Sequence, residues 1–196
     1  MPGHYIRRME LDELKIFYKH IKRDFSRGEY APYSVLHRQL QENIQEGLVF
    51  CEGKEDIAYS ICAADNADGY VLISLFAVFD EYRGRGIGSA FIKALCTMYN
   101  QKQAILLEVE RPELSQSQEE YDTRKRRIGF YEKAGFYLVP EVDYTIWGVP
   151  MHLMALPLVA SKDIINQKIG EVMHQIYLKL MGEQLIHKMR FAKIKR

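Results

Sequence analysis

The sequence predicts a mixed α/β protein of the α+β kind, built from antiparallel strands and flanking helices, with one more helix towards the C-terminal end. Three observations predict it. Two amphipathic helical patterns come first. Three stretches rich in β-branched and aromatic residues follow, separated by turn residues. Then a strand, a glycine-rich loop and a helix succeed one another directly.

The elements can be justified in order. A short strand is expected at Tyr5–Arg7. Asp12 is then placed to cap a helix whose apolar face is Leu14, Phe17, Ile21 and Phe25, spaced by threes and fours. A second helix puts Leu36, Leu40 and Ile44 on one side, with Gly47 as its stop signal. Leu48–Glu52, Asp56–Ala64 and Tyr70–Val78 read as a meander with turns at 53–55 and 65–69. After the glycine loop, a helix turns Phe91, Ile92, Leu95 and Met98 inward. Ala104–Val109 is a strand, Lys125–Ala134 a helix ending at Gly135, and Phe136–Pro140 with Met151–Leu158 a closing strand pair. Ser161 caps a last helix carrying Ile165, Ile169, Val172, Ile176 and Leu180, followed by a basic tail, Lys188 to Arg196, expected to be solvated.

Composition sets the class. The chain has 196 residues, 47% hydrophobic and 27% charged, with a formal net charge of +1. That suits a folded globular protein and argues against one that grips nucleic acid or anionic membrane with its whole surface. Cys51, Cys62 and Cys96 are odd in number and lack a C-x-x-C spacing, so they read as small apolar residues in a reducing compartment rather than a disulfide framework. The six histidines show no metal-binding spacing, and no metal is expected. Without an apolar leader or a membrane-length apolar stretch, the expected location is the cytoplasm.

Arg83-Gly84-Arg85-Gly86-Ile87-Gly88 carries the most chemical information. It follows a strand and opens a helix, so its N–H groups lack intrahelical acceptors and the positive end of the helix dipole faces the same way. Such a loop holds phosphate oxygens, since glycine lets them reach the main chain, and Arg83 and Arg85 add charge. A P-loop would need Gly-Lys-Ser/Thr, which is absent. Ser89 stands where a dinucleotide fingerprint wants its third glycine, although Glu108 lies where that fingerprint has its acid. About 80 residues of helices and antiparallel strands precede the loop, so NAD binding is rejected on order.

Arg83-x-x-Gly86-x-Gly88 after Leu72–Val78 resembles motif A of the GNAT superfamily, the acyl-CoA-dependent N-acetyltransferases. Phe130-Tyr131-Glu132-Lys133-Ala134-Gly135-Phe136 is similar to a second segment of that family, at a suitable distance. The resemblance covers roughly Tyr5 to Leu158. It implies a GNAT-like domain over residues 1–158, with a central, twisted, mostly antiparallel sheet, and leaves 159–196 as a C-terminal helical extension. It also implies that acetyl-CoA is the cosubstrate. The diphosphate would lie on Arg83, Gly84, Arg85, Gly86, Ile87, Gly88 and Ser89. The pantetheine arm would pair like an added strand near Ala77 and Val78, where the family's sheet splays open beside Ala104–Val109.

The resemblance also assigns chemistry. Tyr131 occupies the position of the family's tyrosine acid, suited to protonating a thiolate. Leu107-Glu108-Val109 is similar to a segment in the branch that acetylates a ribosomal-protein alanine, where the glutamate is the base. Strand alternation puts Glu110 on the same face, so either carboxylate could serve, directly or through water. A backbone N–H near Val78 would hold the oxyanion. Two departures stand out: a long polar link after Glu110, and Arg124 or its neighbours where that branch has an asparagine. The link argues against that branch's substrate. Glu29 and Tyr30 near the helix pair, and Asp143, Tyr144 and Trp147 in a loop before the last strand, would border the acceptor, and carboxylates with aromatics suit a cationic amine.

The leading expectation is transfer of an acetyl group to a primary amine of a small molecule or peptide through a ternary complex. The alternative is a non-catalytic acetyl-CoA-binding sensor or interaction module, with the last helix as contact surface. A third reading, acylation of tRNA or a ribosomal protein guided by the basic tail, ranks below both. No membrane or nucleic-acid partner is expected, and a homodimer is left open.

Overall fold

The computed structural model describes residues 3–64 and 69–194, which form nine strands and five α-helices. The chain divides into two compact units. One takes in Met1–Ala64 and Ile73–Met98, the other Asp65–Leu72 and Tyr99–Arg196. No helix among the described residues is long and apolar enough to cross a membrane.

In the first unit, β1 (His4–Arg8) pairs antiparallel with β2 (Gln45–Glu52), and β2 with β3 (Glu55–Ala64) through a two-residue turn in which Gly53 has φ 61°. β4 (Tyr70–Val78), of which Ile73–Val78 belongs to this unit, lies next to β3. The Phe79 N–H donates to Ile57 O at 3.1 Å and Ser60 Oγ to Leu75 O at 2.9 Å, so the two chains run in opposite directions. α1 (Leu14–Asp24) and α2 (Tyr33–Gln41) cover one face, burying Leu14, Phe17, Ile21 and Leu36 against Val49, Cys51, Tyr59, Ile61, Leu75 and Ala77. α3 (Ile87–Met98) covers the other. Its Phe91 ring stacks on Phe50 at 4.8 Å and Phe76 at 5.1 Å, residues that alternate with the first set along their strands.

Four expectations change here. Asp12 is not the cap: Glu13 stands at the N-cap of α1 without a capping bond, because its carboxylate is drawn onto Arg7 at 2.7 and 2.9 Å. α2 stops short of Ile44, since Asn43 at φ 55° reverses the chain. Gly47 is then a residue of β2, where a Cβ would come within 2.8 Å of Met9 Cβ. Met98, expected inward, is exposed at the end of α3. Cys51 and Cys62 are buried and every cysteine is free. Positions 65–68 of the expected turn lie outside the described residues.

In the second unit, β5 (Ala104–Glu110) pairs antiparallel with β8 (Val149–Pro157), β8 with β7 (Val142–Ile146), and β7 with β9 (Met189–Lys193). β6 is only Tyr137–Leu138, also against β8. α4 (Gln118–Lys133) starts earlier than its apolar pattern suggests. Ser117 Oγ accepts from Glu120 N at 3.2 Å, so the polar run supplies the helix's first turn. The segment expected as a loop before the last strand is β7, joined to β8 by a tight turn at Trp147 (φ 51°) and Gly148 (φ 80°). α5 (Lys162–Met181) is capped by Ser161 and buries Ile165, Ile169, Val172 and Ile176, as its stripe predicts.

In the described part of the tail Lys188, Arg190 and Lys193 are exposed, yet it is not a free end. Met189–Lys193 is the edge strand β9, and its Phe191 ring fills the space above Gly170 of α5, where a Cβ would meet it at 2.5 Å. Lys195 and Arg196 lie outside the described residues.

Candidate functional site

The glycine turn of the first unit is built by its own sequence. After β4 and the 3-10 turn Asp80–Tyr82, residues 83–86 form a turn and α3 begins at Ile87. Gly84 and Gly86 both have φ 76°, in the left-handed region, and a Cβ at either would meet nothing within 4 Å. Backbone conformation, not lack of space, requires glycine there. The surface above the turn is therefore open, and the first N–H groups of α3 have no acceptor within the helix. Ser89 is exposed in the first turn of α3, and Ala77 and Val78 close β4 just before the loop.

The two arginines are held differently. Arg85 lies over the Tyr82 ring at 5.6 Å, and the Tyr82 hydroxyl donates to Glu55 Oε2 at 2.6 Å. Arg83 Nε donates to Val78 O at 3.0 Å, while its other nitrogens lie 2.5 Å from Asp80 and 3.6 Å from Asp24. Asp24 is nearly fully buried and accepts the hydroxyl of Tyr59 at 2.9 Å. Burial, with the Asp24 charge beside it, pushes the Tyr59 phenol far above its ordinary range. Arg83 thus braces the turn against β4 and α1, a role its sequence position did not reveal.

Between α1 and α2, Glu29 Oε2 accepts from the Ser26 N–H at 2.6 Å, and the Tyr30 ring meets Tyr18 edge-on at 5.7 Å. Both side chains are thus engaged locally.

In the second unit the structure separates the two carboxylates that sequence alone left equivalent. Glu110 is ion-paired with Arg124 at 3.2 Å and Arg127 at 3.1 Å, both on α4. Arg124 also donates to Arg111 O at 2.8 Å, so the residue near the missing asparagine fastens α4 to the end of β5. Among the described residues no cation lies beside Glu108. Its Oε1 accepts from the Tyr144 hydroxyl and its Oε2 from the Tyr177 hydroxyl at 2.7 Å. Desolvation raises the Glu108 pKa, and the two hydroxyl donors pull it back in part. Both phenols are in turn raised well above 10, first by burial and then by the Glu108 charge.

Tyr144 is therefore not a loop residue. It lies on β7, wholly buried, and reaches across β8 to Glu108. Asp143, its neighbour, meets Arg111 at 3.4 Å, and Trp147 is half exposed at the hairpin turn. Tyr177 carries little mark in the sequence. Its one signal is a tyrosine four residues after Met173 on an otherwise aliphatic helix face.

Tyr131 lies near the end of α4, buried, with the Phe130 and Phe136 rings at 5.1 and 5.5 Å. Burial pushes its phenol up to about 12, with Arg127 opposing. It holds its proton at neutral pH, as a proton donor must.

Residues 44–138 match the family model of the acetyltransferase (GNAT) domain, a stretch that holds the glycine turn, Glu108 and Tyr131. The fold is similar to that of a Bacteroides thetaiotaomicron protein assigned to the GNAT acetyltransferase family, with a TM-score of 0.72 and 20% identity over 90% of this chain and 98% of that one. It is also similar to the ribosomal-protein-S18-alanine N-acetyltransferase of Escherichia coli (TM-score 0.56, 18% identity, 81% and 96% covered). A third similar structure is the dodecameric spermidine N-acetyltransferase of Vibrio cholerae (TM-score 0.60, 13% identity, 79% and 94% covered). At such identities the likeness is one of fold. No curated protein matches the sequence.

Proposed function

The chain carries a GNAT acetyltransferase domain over residues 44–138, and from that premise we propose that it moves an acetyl group from acetyl-CoA to a primary amine of a small molecule or peptide. The observation that carries this reading is the turn 83–86, with its two left-handed glycines, open surface and helix start. Those features suit a diphosphate.

In this reading the amides of residues 83–89 hold the diphosphate, Ala77 and Val78 offer main-chain groups to the pantetheine arm, and the Val78 N–H faces the oxyanion. The neutral amine attacks the thioester carbon, the new C–N bond forms and the C–S bond breaks. Glu108 takes the proton the amine loses, and Tyr131 gives one to the departing thiolate. Glu110 is set aside as the base because two arginines already engage it. Glu29 and Tyr30 are proposed on the acceptor side. Free, buried thiols are in keeping with a cytoplasmic setting.

The test is free-thiol release from acetyl-CoA across a panel of polyamines, amino acids and peptides with free N-termini, beside a calorimetric titration with coenzyme A. Coenzyme A binding with amine-dependent thiol release supports the proposal. Binding without release under any amine would leave a sensor module, and no binding would remove the acyl-transfer reading altogether.

A further inference from the structure

Among the described residues of the second unit, Glu108 is the one carboxylate whose two oxygens are each met by a tyrosine hydroxyl, and the donors come from distant parts of the chain. Tyr144 stands on β7, two strands from β5. Tyr177 stands near the C-terminal end of α5, 69 residues along from Glu108. Neither belongs to residues 44–138, which match the family model. We propose that Tyr144 and Tyr177 are positioning residues that hold the Glu108 carboxylate in one orientation and keep it ionised, which makes α5 part of the acid–base machinery. The proposal deepens the reading of Glu108 as the base and rests on it.

The physical argument starts from cost. A carboxylate withdrawn from water favours its protonated form, and a protonated Glu108 could not accept a proton from an amine. Two hydroxyl donors, one on each oxygen, favour the charged form and oppose that tendency. They also restrict the carboxylate's broad terminal torsion, since one bond to each oxygen defines its plane. The remaining lone pair on each oxygen is left for a further donor.

No charged group competes for this role among the described residues. Glu110, on the same strand, is paired with Arg124 and Arg127 of α4. His152 of β8 is in register with Val109, so it points to the other face, where it lies 3.0 Å from Glu113. Asp143 of β7 alternates with Tyr144 and meets Arg111. His174 of α5 is exposed. Tyr144 and Tyr177 are the titratable groups that face Glu108. Both stay protonated at any working pH, so they act as fixed donors.

The experiment uses the full chain with Tyr177→Phe, which removes one oxygen atom, and Tyr144→Phe as a second variant. The Glu108 carboxyl carbon is followed by NMR in protein labelled at glutamate, assigned by its loss in Glu108→Gln. In parallel, the pH dependence of kcat/KM for acetyl transfer is recorded. Loss of one donor leaves desolvation less opposed, so the Glu108 midpoint should rise by about one pH unit. The acidic limb of the rate profile should move up with it, while protection against heat by coenzyme A stays as in the parent protein. An unmoved NMR midpoint overturns the proposal whether or not the protein transfers acetyl groups. A midpoint that rises while the acidic limb stays in place also overturns it, because Glu108 is then held by the tyrosines but is not the base. Should Tyr144→Phe fail to fold, Tyr177→Phe decides alone.

Discussion

Arg83 Nε donates to the carbonyl oxygen of Val78 over 3.0 Å, tying the glycine turn to the end of β4. The same guanidinium reaches Asp24, whose other oxygen accepts the buried Tyr59 hydroxyl. A residue that reads as free charge for a diphosphate thus carries part of the turn's shape.

Arg83→Ala should weaken coenzyme A binding about tenfold, the loss expected when hydrogen bonds to a charged group are removed. Asp24→Ala should cost more stability, about 2 kcal/mol, because Tyr59 is left without its acceptor in the core. Calorimetry and denaturant unfolding give the two numbers, and an unchanged dissociation constant for Arg83→Ala would show that the main chain holds the turn unaided.

Gly86→Ala places a Cβ on a residue at φ 76° where space is open. The penalty is conformational, about 1 kcal/mol, and the turn should relax towards ordinary φ. Coenzyme A affinity should fall while the core, measured by the unfolding slope, is untouched. Equal affinity would mean that the left-handed conformation is not needed for binding.

Tyr131→Phe removes the proposed proton donor and keeps the ring against Phe130 and Phe136. Acetyl transfer should slow at least about tenfold with coenzyme A binding intact, within the usual range for acid catalysis. Equal turnover would withdraw Tyr131 from the chemistry.

Glu108→Gln should abolish most acetyl transfer and change the pH dependence of stability. The folded Glu108 pKa lies above its ordinary value of 4.5. Its contribution is therefore complete below that pH and is lost as pH rises through the folded value. Gln mimics the neutral form, so the variant's melting temperature should exceed the parent's at pH 8, with the gap closing below pH 4.5. A gap that widens towards acid would reverse the sign and remove the argument.

Gly170→Ala should displace β9, since the new methyl would sit 2.5 Å from the Phe191 ring. Overpacking of this kind costs about 1–3 kcal/mol. Trimming the ring in Phe191→Ala should recover much of that loss in the double variant, so the two changes will not add. Strict additivity would show that α5 and β9 do not meet there.

How much was legible follows the reach of each interaction. The helices with spaced apolar faces, the Ser161 cap and the strands Glu55–Ala64 and Tyr70–Val78 depend on neighbours within a few residues, and their patterns announce them. Where the pattern misled, a distant group intervened. Arg7 took the Glu13 carboxylate from the start of α1, and Met9 made Gly47 a strand glycine rather than a helix stop. Pairing with β7 turned a basic tail into an edge strand.

Residue order alone determined the turn at Gly84 and Gly86, because left-handed backbone and a helix start are local properties that glycine permits. Tertiary structure decided which glutamate stands ready. Alternation puts Glu108 and Glu110 on one face, and only the packing of α4, β7 and α5 gives one two arginines and the other two phenols. The proton affinity of a carboxylate is set by whatever lies within a few ångströms, and side chains 36 and 69 positions away come that close only once the chain has folded.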